Sequence, residues 1–287
     1  EDVQLKVIQE KDAIVLKLIS PAQKMTTRQI SSLVSFFNKN ASIPDVAETK
    51  IANVKELLYE TALKSDKPDE TFLPKLLEKS GMVWEKKIAQ VISGNTSSKD
   101  IKTGLDFLLK QDIKGNILKE LLNVDPQKMQ ILKTAATFAE TIENFQILNH
   151  HSSDSGRILL PFPVFSDSAF RFGQLLIDTG EKTKSNEKDT DKLIHISFLL
   201  DMTRLGPLRA DFSILKKEIT GRFLLNDNDT RLYVKSMIPE LIDRLADIEY
   251  HVRNIDCETA GKEEVQQSVF IESMVKASDG RVLNIVI

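Results

Sequence analysis

Between Lys192 and Cys257 the spacing of apolar residues changes period twice, from two to between three and four and back to two. That predicts strands, one helix and a closing strand. Ile194, Ile196, Phe198 and Leu200 alternate with His195 and Ser197; after the turn MTRLGPL, Leu208, Ala210, Phe212 and Ile214 repeat the phase while Arg209, Asp211 and Ser213 face the other way. Ile219, Gly221 and Phe223 follow a Lys216-Lys217-Glu218 turn short enough for a hairpin. One-sided alternation predicts an antiparallel sheet with one packed and one wet face. The helix is expected from about Thr230 to Ile248, with Val234, Ile238, Leu241, Leu245 and Ile248 in one stripe. Asp227, Asn228 or Asp229 supplies its N-cap, and Pro239 should bend it.

Upstream, Val3, Leu5 and Val7 alternate and AIVLKLI follows a Glu10-Lys11-Asp12 turn, which reads as a strand pair. From Thr26 to about His150 the period is helical. Ser42 with Pro44 opens one helix that carries Val46, Ile51, Val54, Leu58 and Ala62, and Asp69 opens another with Leu73, Leu76 and Leu77 that ends at Gly81. MVWEKKIAQVIS, KDIKTGLDFLLK and NILKELLN follow, and Asp125-Pro126 starts a long last helix. Short polar connections between these helices predict a compact antiparallel bundle. The run Ser152 to Gly156 marks a boundary, beyond which ILLPFPVF and FRFGQLLID read as strands, with Pro161 and Pro163 at a sheet edge. The polar run Glu181 to Asp191 reads as a loop; the end of the chain reads as a helix from about Glu263 to Ala277 and a final strand RVLNIVI. The expected fold is therefore α+β, an N-terminal all-helical bundle followed by an antiparallel β-sheet domain with one or two packed helices. Its expected divisions are the end of a truncated β module (1–20), the bundle (21–151) and the α+β domain (157–287).

A chain of 287 residues can bury a substantial core, and its net charge of −3 gives no reason to expect nucleic acid or an anionic membrane as partner. No apolar run reaches the roughly 18–20 residues needed to cross a bilayer. The single cysteine, Cys257, excludes an intramolecular disulfide and fits a reducing compartment. The chain opens at Glu1 without a methionine, which reads as a fragment.

Candidate chemistry is sparse. His150 and His151 are adjacent, so on a helix they point about 100° apart and suit a helix end rather than one metal. His195, His251 and Cys257 match no zinc spacing. Asn226 to Asp229 resembles a calcium loop without its glycine and bidentate glutamate, so capping is the expected role. Nucleophile elbows, phosphate loops and dinucleotide fingerprints are missing, and Trp84 reads as a core residue. No catalytic residue, metal site or cofactor is expected, which leaves binding.

LGPLRADFSI, a second strand and a helix carrying IPELIDRL together resemble the C-terminal domain of flagellar hook-length control proteins, the FliK family. That domain has a leucine-glycine turn entering a strand and a helix of the form PEL-x-x-x-L; the matching positions are Leu205, Gly206, Leu208, Ala210, Pro239, Glu240, Leu241 and Leu245. Looser similarity runs upstream through SGMVWEKKI and IENFQILN to LLPFPVF. The resemblance implies a non-catalytic protein–protein interaction module that contacts the cytoplasmic domain of a flagellar export-gate protein and switches type III export specificity. It also implies a cytoplasmic protein that can itself pass through the export apparatus. Partner contact is expected at an exposed sheet edge or apolar rim formed by Leu205, Gly206, Leu208, Arg209, Ala210 and Asp211. The second reading is a cytoplasmic scaffolding protein that shares the fold without a flagellar role.

Overall fold

The computed structural model describes residues 4–10, 13–19, 25–38, 54–64, 69–94, 97–122, 129–152, 155–166, 169–180 and 192–279. β1 (Gln4–Glu10) and β2 (Ala13–Ile19) pair antiparallel as a separate two-stranded sheet. There follow α1 (Thr27–Asn38), α2 (Val54–Thr61), the two-residue strand β3 (Leu63–Lys64), α3 (Phe72–Lys79), α4 (Trp84–Gly94), α5 (Ser98–Gln111), α6 (Ile113–Leu122) and α7 (Met129–Ser152). After these come β4 (Arg157–Ser166), β5 (Ala169–Asp178), β6 (Leu193–Met202), β7 (Gly206–Leu215), β8 (Glu218–Leu225), α8 (Asn228–Asp247), β9 (His251–Thr259) and α9 (Val269–Asp279). The expected helix starts at Ser42 and at Asp125-Pro126, the loop Glu181 to Asp191 and the strand RVLNIVI lie outside the described residues.

Strands β3 to β9 form one seven-stranded sheet in chain order. β4 through β8 are antiparallel, but β3 runs parallel to β4 and β9 parallel to β8. This corrects the expectation of a helical bundle followed by an antiparallel sheet: the sheet is mixed, and helices are interspersed with its strands. Two physical causes explain the difference. A two-residue strand such as β3 has no alternation to read. β8, α8 and β9 form a strand–helix–strand crossover, and such a connection is what parallel neighbours require.

The packing is also two-sided where the sequence suggested one wet face. Leu159 belongs to a buried cluster with Leu33, Phe37, Phe145, Leu148, Leu199 and Phe270, whereas its neighbour Leu160 packs with Leu76, Phe162, Val164 and Leu175. Leu199 and Phe198 divide in the same way. Adjacent apolar residues that point to opposite faces require cover on both. α1, α7 and α9 supply it on one face and α3 on the other, while a third cluster joins α2, α6 and α7 to Phe170 of β5. Gly173 makes room on the α3 face, since a Cβ there would lie 2.7 Å from the ring of Phe162 on β4 and 2.6 Å from Leu200 on β6.

The helical half is fixed by a buried polar knot. Asp112 breaks α5 from α6 with extended backbone, φ −126° and ψ 137°, and its carboxylate accepts from the Gly115 amide at the start of α6. Lys87 pairs with the same carboxylate at 2.9 Å. Lys114, also buried, donates to Glu85 at 2.6 Å and to Gln146 at 2.9 Å; Gln146 in turn donates to the Gly81 carbonyl at 2.9 Å. Trp84 packs on α6 through Gly115, where a Cβ would come within 2.8 Å of the indole.

Candidate interaction surface

On the α8 side of the sheet, side chains in register form rows across β6, β7, β8 and β9. Phe198, Ala210, Phe223 and Cys257 make one row, and Ile196, Phe212, Gly221 and Ile255 the next. In the first row large alternates with small, and in the second the Phe212 ring lies over Gly221, where a Cβ would be 2.5 Å from it. Phe212 and Phe223 meet edge to face with centroids 5.6 Å apart. Leu208, Ala210, Leu225 and Ile255 are buried, but Phe212, Ile214 and Phe223 are only half-buried.

α8 covers the β9 end of this face. Asp227 caps it: the Thr230 amide and hydroxyl donate to its carboxylate at 2.8 and 2.7 Å, and these bonds, the amide first, hold the carboxyl below its ordinary range. The helix continues through Pro239. Val234, Ile238, Leu241 and Leu245 form its inner stripe, yet each is only half-buried, no α8 residue is buried, and Ile248 is exposed at the C-cap. By helical geometry Arg231 and Lys235 lie about 60–100° to one side of the stripe, and Tyr233 and Met237 as far to the other. Burial pushes the Cys257 thiol up, and the positive charges of Lys235 and Arg231 on this flank pull it partly back. Tyr233 and Met237, on the opposite flank from those charges, are 55% and 44% exposed. Between this flank and α3, the phenylalanine floor is half-open.

The expected contact residues divide between two faces. β7 is an inner strand, paired along its whole length with β6 and from Leu208 onward with β8, so its backbone offers no free edge there. Leu208 and Ala210 are buried in the floor. Leu205 sits half-buried in the turn, and Gly206 has φ +69°, a conformation that disfavours a Cβ although the space around it is open. Arg209 and Asp211 lie on the opposite face in a network: Arg209 pairs with Asp211 at 2.9 Å, Arg222 with Asp211 at 3.1 Å, and Ser197 donates to Asp211 at 2.6 Å. The Arg209 guanidinium also lies 5.3 Å from the Phe270 ring centre of α9. Sequence reasoning missed Tyr233, Met237, Phe212 and Phe223 as surface residues. The available signal was the width of the apolar arc on α8, which exceeds a single stripe.

His195 bonds Ser213 at 2.8 Å on the far face, and His150 and His151 lie in the last turn of α7. Among the described residues no group of three or more His, Cys, Asp or Glu side chains is placed to hold a metal, and no helix is long and apolar enough to cross a membrane. A cavity of about 20 Å³ lined by Phe36, Leu58, Phe138 and Phe172 is apolar and about one water wide. Fold and surface together define an α+β protein with a mixed sheet and a half-covered aromatic face. No family model, no curated protein and no solved structure matches the chain.

Proposed function

We propose that this chain is a non-catalytic protein–protein interaction module whose partner docks on the half-open face between α8 and α3. The observation that carries the reading is the exposure of Tyr233 and Met237 beside a floor of half-buried phenylalanines. Aromatic residues and methionine are the side chains enriched at protein interfaces, and clustered apolar exposure of this kind marks interaction sites. The resemblance of LGPLRADFSI and IPELIDRL to hook-length control proteins supplies the partner class: the cytoplasmic domain of a flagellar export-gate protein, met on the cytoplasmic side of the export apparatus. Contact there sets which substrates type III export accepts. Arg209, Asp211 and the Leu205-Gly206 turn then act on the same module from its other face and its rim. The test is a pull-down against that domain with the wild type and Met237→Asp. Capture of the wild type and its loss in the variant, at equal thermal stability, support the reading. Failure of the wild type to bind at high micromolar concentration removes it.

A further inference from the structure

The two ends of the sheet differ in character. At the β4 end the backbone is sealed. Asn149 holds the outward amide and carbonyl of Leu159, Pro161 and Pro163 in the same phase have no amide to offer, and β3 covers Val164 and Phe165. At the other end β9 is nine residues long and contains neither proline nor lysine. No strand pairs with its outer side among the described residues, and Arg253, Asn254, Asp256, Glu258 and Thr259 are exposed.

The phase of its backbone follows from the ladder. Ala260 donates its amide to the Leu225 carbonyl, and Asp256 is in register with Arg222. In a parallel pair the residues that bond to one neighbour alternate with those that face away. Asn254, Asp256 and Glu258 therefore bond inward to β8, and Ile255, Cys257 and Thr259 present amide and carbonyl outward. The side chains give this edge two signs. Asp256 and Glu258 project from the face opposite α8, and neither takes part in an ion pair among the described residues. On the α8 face, Lys235 and Arg231 supply positive charge that acts on Cys257.

We propose that the outer edge of β9 accepts an extended segment of a protein partner as a further strand of the sheet. The segment carries basic side chains on the face beside Asp256 and Glu258, and apolar or acidic ones beneath α8. Main-chain bonds to Ile255, Cys257 and Thr259 give it affinity, and the alternation of its side chains gives it orientation. This edge is separate from the face between α8 and α3, and the inference does not depend on that reading.

The probe is a synthetic nonapeptide alternating lysine with valine, compared with a peptide of the same composition in two blocks. Binding to the whole chain is followed by fluorescence anisotropy and by amide exchange. The alternating peptide is expected to bind at least tenfold more tightly than the block peptide and to slow exchange at Ile255, Cys257 and Thr259 at least tenfold. Thr259→Pro, which removes an outward amide and leaves the inner ladder intact, is expected to reduce affinity at least tenfold at unchanged Tm, and Asp256→Lys to weaken it as well. No binding at about 1 mM, or equal affinity for both peptides, overturns the proposal. So do outward amides that are already protected in the free chain, whether protein dilution or removal of residues 280–287 then exposes them; those results assign the edge to a second copy or to the chain's own end.

Discussion

The side-chain amide of Asn149 holds both backbone groups of Leu159: its Nδ2 donates to the Leu159 carbonyl at 2.9 Å, and its Oδ1 accepts from the Leu159 amide at 2.7 Å. One residue near the end of α7 thus stands in for a neighbouring strand along β4. Asn149→Ala leaves two partly buried backbone groups without partners, and the expected loss is about 1–3 kcal/mol in urea melts. Asn149→Asp keeps the acceptor for the Leu159 amide but sets a carboxylate oxygen against the Leu159 carbonyl, so it should cost at least as much as the alanine variant. A change below about 0.5 kcal/mol for the alanine variant would mean that water replaces the amide at no cost.

Glycine substitutions separate close approach from open space. Gly115→Ala puts a Cβ 2.8 Å from the Trp84 ring and 3.0 Å from the Leu108 carbonyl, so either the ring or α6 must move. The expected cost is about 1–3 kcal/mol. Gly94→Ala meets nothing within 4 Å at the end of α4 and should be neutral or stabilising by up to about 1 kcal/mol. Thermal melts of the two variants in parallel decide the matter, and equal values would contradict the packing of Trp84 on α6.

How much the leucines of the two layers contribute differs with their cover. Leu199 is fully buried between α7 and α9, and Leu199→Ala is expected to cost about 2–5 kcal/mol. Leu241 is half-buried in α8, so Leu241→Ala should cost about 1–2 kcal/mol, in line with the smaller area removed from water. A larger loss at Leu241 than at Leu199 in urea titrations would mean that α8 is packed more tightly than its exposure indicates.

Two carboxylates should respond to acid in opposite directions. Lys75 and then Thr71 bond Asp69 and hold its carboxyl at about 2, below the ordinary 3.8. Its contribution to stability is present above about pH 4 and is lost as pH falls through 2. Burial, outweighing the Lys87 pair, pushes the Asp112 carboxyl up. The folded chain therefore binds that proton more readily than the unfolded one, and the cost of the buried charge grows as pH rises from 3.8 through the raised value. Carbon-13 titration of the aspartate carboxyls checks both, with Asp69 titrating first as acid is removed. The reverse order would contradict the buried position of Asp112 and the bonds to Asp69.

The elements of the C-terminal half were legible because each had one dominant period. The alternation of Ile194 to Leu200 and of Leu208 to Ile214 lies in β6 and β7, and the stripe Val234, Ile238, Leu241 and Leu245 is the inner side of α8. What alternation does not carry is which strands become neighbours and in which direction. Nothing around Leu63 distinguishes a two-residue strand from a helix end, so the link from the helical half into the sheet had no local signal. Consecutive apolar pairs such as Leu159-Leu160 and Phe198-Leu199 did carry the second packed face, but as runs rather than as alternation. The surface residues were hidden for a related reason. Tyr233 and Met237 look like an extension of the stripe until their exposure shows which flank is left uncovered.

The central claim is that the face between α8 and α3 is where a partner docks, and Met237 reports on it most directly. The measurement is methyl NMR of the methionines during titration with the cytoplasmic domain of a flagellar export-gate protein. The account predicts that the Met237 methyl shifts and saturates together with the amides of Phe212 and Phe223, while Arg209, Arg222 and His195 on the far face stay in place. Shifts confined to the far face, or no change at Met237 at saturating partner, would contradict it.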